Sequence, residues 1–145
     1  MDLVGLIKYN LIMASKIMTD KRLAEQKPVV EKAANSKMLN KYEGVLLLGD
    51  NMKIINSHTG ELRNIHNTVF KSCLGKDVCE NCGVKERLDR AHTKGKKEIA
   101  KEVLDEFHPE PNIPIDMKVF ITAFVLRHSK YGVWMLCKKC HKELG

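Results

Sequence analysis

Apolar positions along this chain follow two rhythms. Leu3, Leu6, Ile7, Met13, Ala14, Ile17 and Met18 recur at helical spacing, which predicts an amphipathic helix over residues 3–18. Pro28 suits a first helical turn, so a second helix is predicted from there to about Tyr42. Beyond Gly44 the apolar runs shorten and are punctuated by Gly49-Asp50-Asn51 and His58-Thr59-Gly60. Those tripeptides have turn chemistry, and two or three antiparallel strands are predicted across 45–69.

The second half reads differently. A charged turn around Cys79 and Cys82 leads into an extended piece ending at His92. A helix follows over 96–108, stopped where Pro109, Pro111 and Pro114 fall within six residues. Residues 115–130 form a second apolar-faced helix, 132–137 a strand by their Val, Trp and Met content, and Lys138 opens a terminal helix. The fold class is α+β. Two regions are expected: helices and a β-hairpin region over 1–70, serving as scaffold or DNA contact, and 71–145 carrying the cysteine pairs with a helical insertion at 96–130.

Composition adds little to this until charge is placed along the chain. Hydrophobic residues make up 43% and charged residues 30%, as in ordinary globular chains. No apolar run reaches the ~20 residues of a membrane span, and Leu3 to Met18, broken by Lys8, Asn10 and Lys16, lacks a signal-peptide pattern. An intracellular protein without a membrane partner is expected. The net charge of +7 is uneven: 71–101 carries +4, 102–125 carries −4, and 126–145 carries +4. The two most basic segments hold the cysteine pairs, which favours a polyanionic partner such as nucleic acid. The plainer alternative, lysines that serve solubility, is equally consistent with charge alone.

Five cysteines in an intracellular chain argue against a disulfide framework. Four form CxxC pairs, Cys79/Cys82 and Cys137/Cys140, and Cys73 is left over. Two such pairs supply the tetrahedral four-sulfur set of a structural zinc, and Gly83 allows the sharp turn after Cys82. Four buried apolar cysteines would not need paired spacing, and a redox CxxC would need a βαβ context that is missing. The 54 residues between Cys82 and Cys137 exceed the gap of a simple zinc ribbon.

A CxxC knuckle, then Asp89-Arg90-Ala91-His92, then Leu136-Cys137-Lys138-Lys139-Cys140-His141 opening a helix resembles the HNH, or ββα-metal, nuclease family. The resemblance covers residues 79–145 and implies an endonuclease that cleaves DNA phosphodiesters. It implies His92 as general base, with Asp89 and Arg90 as further catalytic candidates, and His141 as ligand of a catalytic Mg²⁺ or other divalent cation. Zn²⁺ on Cys79, Cys82, Cys137 and Cys140 is then architectural. The chain departs from the family at three places: Ala91 where an Asp or His ligand is common, Gly132 where an asparagine is common, and Gly145 where some members add a histidine. Asp89, two residues before Ala91 on the same side of a strand, is a candidate replacement ligand.

Double-stranded DNA is the partner the resemblance implies, with Lys94, Lys96, Lys97, Lys138, Lys139 and Lys142 as phosphate contacts. For any one of these lysines a solvated basic face explains it as well. His58, His66 and His108 read as surface or capping residues, His128 as structural, and Trp134 as core. Two rivals remain: a zinc-stabilised nucleic-acid-binding module with a decayed active site, and a zinc-knuckle protein-interaction module. The latter explains the cysteines but not Ala91-His92 before the second pair.

Overall fold

The computed structural model describes residues 21, 23–73, 78–92 and 94–144; the side chains at 70–73, 90, 92, 133, 134 and 144 lie outside that description. The expected helix over 3–18 also lies outside it. The fold is mixed α and β. Helix α1 spans 23–34. A short 3-10 helix Lys37–Tyr42 leads to β1 (Leu46–Leu47), α2 (Asn51–Ser57), α3 (Thr59–Cys73) and β2 (Leu88–His92). Then come α4 (Lys96–Phe107), β3 (Ile115–Asp116), α5 (Met117–Arg127), a 3-10 turn His128–Lys130, β4 (Val133–Cys137) and α6 (Lys138–Leu144).

The strands predicted across 45–69 are not there beyond Leu46–Leu47: that stretch is two helices. Asp50 is a helix cap, not a hairpin turn, its carboxylate accepting the Met52 and Lys53 backbone N–H groups at 3.0 and 3.2 Å. Ile54 and Ile55 are buried on α2, and Leu62, Ile65, His66 and Val69 follow a 3.6-residue period that puts them on one face of α3. The second helix also starts earlier than predicted. Pro28 sits inside α1 although its missing N–H and ring cost about 3 kcal/mol in a helix interior. Val30 and Ala34, both in the core, anchor α1 beyond that point. It does not run on to Tyr42, because Ser36 caps a separate turn by accepting the Met38 N–H at 3.2 Å.

The predicted helix over 96–108 and the strand over 132–137 appear within a residue of their expected bounds. The segment 115–130 opens with the two-residue β3 and closes with a 3-10 turn, leaving α5 between. Ile99, Ala100, Val103 and Leu104 of α4 face Phe120, Ile121, Phe124 and Val125 of α5 in a cluster that also takes in Val30, Leu39, Ile55 and Leu62. That cluster draws on both sides of residue 70. Two separate two-stranded sheets flank it. β1 pairs antiparallel with β3, Leu46 opposite Asp116, and Asp116 also caps α5 and accepts the Gly44 N–H at 2.8 Å. β2 pairs antiparallel with β4, from Leu88 opposite Cys137 to His92 opposite Val133.

The 54 residues between the cysteine pairs are therefore no loop. They carry α4 and α5, half of the main core, between two strands that pair with each other. Among the described residues no helix is long and apolar enough to cross a membrane.

His66, expected as a surface or capping residue, is buried inside α3 at 2% exposure, whereas His108 is the C-cap of α4, its N–H donating to Leu104 O at 2.7 Å, though buried at 3%. The His66 ring lies 4.9 Å from that of His128, and the His108 and Asn51 side chains meet at 2.7 Å. His128 donates from Nδ1 to the Phe124 carbonyl at 2.6 Å, a structural role.

Candidate metal centre

The first knuckle is closed by its own backbone. Cys79 N–H donates to Val84 O at 3.0 Å and Gly83 N–H to Cys79 O at 2.9 Å. Gly83 has φ +80°, a conformation that costs glycine nothing and other residues strain. Between the two cysteines, Glu80 grips the outer edge of β4: its N–H donates to Met135 O at 2.9 Å, and its carboxylate accepts the Met135 N–H at 2.7 Å. The second knuckle forms where β4 passes into α6. Cys82 N–H points at the Cys79 sulfur and Cys140 N–H at the Cys137 sulfur, both at 3.5 Å, so the knuckles share one geometry. Asn81 links them, its side-chain amide 3.4 Å from the Cys140 sulfur.

The result is four sulfur atoms within 4.8 Å of one another. Cys82 and Cys137 are 3.7 Å apart at sulfur, far beyond a disulfide bond and close to the ~3.8 Å edge of a tetrahedron with ~2.3 Å metal–sulfur bonds. Cys79, Cys137 and Cys140 are buried, Cys82 exposed. The four could hold one metal ion.

The electrostatics favour that use. Burial pushes the Cys140 thiol up to about 12, and its three cysteine neighbours add to this against the Asn81 amide. At Cys137 the Cys140 N–H favours the thiolate, but burial and the Cys82 and Cys79 thiols outweigh it and raise the pKa. At Cys79 burial is outweighed by hydrogen bonds from the backbone of Cys137, Cys82 and Asn81, which lower the pKa to about 6. A cluster that gathers thiols while resisting accumulated negative charge is one that a cation would complete.

Beside the sulfurs stands a second pair. Cys137 and Cys140 fix the first turn of α6, and the next residue, His141, turns Nδ1 to within 3.3 Å of an Asp89 carboxylate oxygen on β2. Both side chains are about a third exposed or more, at 40% and 35%. Ala91 is buried in the small cluster of Cys79, Leu136, Cys137 and Cys140, with Leu88 against it. Gly132 is structural too: a Cβ there would lie 3.3 Å from Leu23. The backbone places His92 at the far end of β2, three residues from Asp89; the side chains of Arg90 and His92 lie outside the described residues.

The six lysines fall into three settings. Lys138, Lys139 and Lys142 are exposed on α6. Lys94 is not a free cation: it is paired with Glu102 at 2.6 Å and lies 4.9 Å from the Tyr131 ring centre. That pairing raises its pKa, with the Tyr131 hydroxyl adding to it. Lys96 and Lys97 open α4 beside Arg63 of α3. Sequence reasoning missed Arg63, which no motif marks, and also Glu80 and Asn81, although both lie inside the first CxxC. No family model matches this chain, and neither the curated proteins nor the solved structures compared with it contain a match.

Proposed function

We propose that the chain is an HNH-type endonuclease that hydrolyses DNA phosphodiester bonds, with structural zinc on Cys79, Cys82, Cys137 and Cys140. The observation that carries this reading is the Asp89–His141 pair at 3.3 Å, assembled from residues 52 apart directly beside the four sulfurs. A carboxylate oxygen and an imidazole nitrogen at a half-exposed edge suit a divalent cation such as Mg²⁺, which when bound would polarise the scissile phosphate. His92, on the same strand as Asp89, is the general base that takes a proton from the attacking water. Arg90, next to Asp89 in the sequence of β2, is a candidate contact for the phosphate's charge. An ion held by Cys79, Cys82, Cys137 and Cys140 would have no part in hydrolysis; it would brace β4 and α6, from which His141 meets Asp89.

The test is cleavage of supercoiled plasmid by the zinc-loaded protein with Mg²⁺ or Mn²⁺, alongside His92→Ala. Cleavage by the parent and its loss in the variant, at unchanged zinc content, supports the reading. Equal cleavage by both would overturn it.

A second reading is a zinc-stabilised nucleic-acid-binding module without catalysis. It is favoured by Ala91 and Gly132, which give packing reasons, not ligands, to positions where the family commonly has functional side chains. Salt-sensitive DNA binding without cleavage by either protein would select it.

A further inference from the structure

Away from the cysteines, a cavity of about 290 Å³ opens between α3 and the start of α4, lined by Thr59, Leu62, Arg63, Lys96, Lys97 and Glu98. Three cations and one carboxylate give this lining a formal charge of +2. No ion pair among the described residues neutralises Arg63 or Lys96. Burial and the nearby Arg63 charge push the Lys96 pKa down, so the two cations are felt at the same place. Among the described residues Lys97 reaches a neutral partner, the Asn56 side-chain oxygen at 3.4 Å.

The placement is electrostatically costly as it stands. Lys96 and Lys97 occupy the first positions of a 12-residue helix, where the macrodipole is positive and disfavours cations. Gly95 precedes them with no side chain to accept their N–H groups. Like charges from α3 and α4 thus converge on one cavity with little beside Glu98 to offset them. An anion entering it would meet two ammonium groups, a guanidinium and free backbone donors.

We infer that this cavity is a phosphate-binding pocket, and that its occupant is a backbone phosphate of the nucleic acid. The pocket rests on the proposed function for that partner, but its anion chemistry stands apart from catalysis. Gly95 follows His92 by three residues, so the strand that carries the candidate base leads directly into the pocket. Arg63 gives the first half of the chain a part in DNA binding through a helix instead of the strands expected there.

The experiment uses the full zinc-loaded chain and two probes. Inorganic phosphate should shift the backbone amide resonances of Lys96, Lys97 and Glu98 saturably, and Arg63→Ala should weaken that binding several-fold with melting temperature unchanged. Glu98→Gln should tighten it. With DNA, Arg63→Ala should reduce the slope of log K against log salt by about 1, the signature of one lost phosphate contact. Absence of amide shifts, or shifts equally strong in Arg63→Ala, would overturn the pocket even if the protein cleaves DNA. Phosphate binding with no DNA affinity would overturn the assigned occupant, and phosphate binding with DNA affinity but no cleavage would keep the pocket and remove the nuclease reading.

Discussion

The helical core and the β2–β4–α6 unit are held together by different physics. Twenty of the described buried residues belong to the helical cluster, including Phe120, Phe124, Ile55 and Leu104 at nearly zero exposure. Among the described residues the cluster of the other unit holds five, and three of those are cysteines. Apolar burial at roughly 25 cal/mol per Å² can order the first, and among the described residues it has less to act on in the second. The four sulfurs could hold one ion, and its coordination would add order there, so each region should respond to a different insult.

Metal removal should break the comparison most sharply. Small zinc-organised units gain on the order of 10 kcal/mol from their ion. Chelation, or Cys137→Ser, should therefore expose the amide protons of β2, β4 and α6 to exchange while those of α4 and α5 stay protected. Uniform loss of protection would mean that the two regions form one cooperative unit. Phe120→Ala is the converse. It should cost about 3–5 kcal/mol in denaturant unfolding, with bound metal still at one per chain under native conditions.

A smaller effect tests the joint between the regions. Glu102 on α4 accepts from Lys94 at 2.6 Å, from Arg127 at 2.9 Å and from the Tyr131 hydroxyl at 2.8 Å, and Arg127 also pairs with Glu106. Lys94 lies just beyond β2 and Tyr131 just before β4, so this carboxylate fastens both strands to the helical core. The Lys94 hydrogen bond first, then Tyr131 and Arg127, hold its pKa down at about 2, against an ordinary 4.5. A depressed carboxylate contributes stability that is complete above pH 4.5 and fades as pH falls toward 2. Acid titration of the native protein should show that decline, and Glu102→Gln should remove this part of it. The smallest expected effect is local: Asp50→Ala deletes the α2 cap and should cost about 0.5–2 kcal/mol without touching metal content.

Legibility of the sequence followed the range of the interactions. Helix α4 was readable because its apolar stripe, its opening and its proline stop all lie within twenty residues. The knuckles were readable because a CxxC turn is closed by its own backbone, down to the positive φ of Gly83. The misreading of 45–69 arose at Asp50, whose side chain serves a turn and a helix cap equally well. The period of Leu62, Ile65 and Val69 on α3 was the better guide. His66 misled for a related reason, since a histidine among polar neighbours looks exposed until packing buries it.

What the sequence by itself determined is local chemistry: two thiol pairs shaped for chelation, a strand ending in Ala91-His92, and helices with one apolar face. Tertiary structure alone decided that four sulfurs from knuckles 54 residues apart lie within 4.8 Å, that Asp89 meets His141, and that Arg63 faces Lys96. It also decided that Lys94 answers to Glu102 instead of standing free. The physical reason is that periodicity and turn propensity act over a few residues. Which faces meet depends on how α4 and α5, inserted between two paired strands, bury their apolar surface against the first half of the chain.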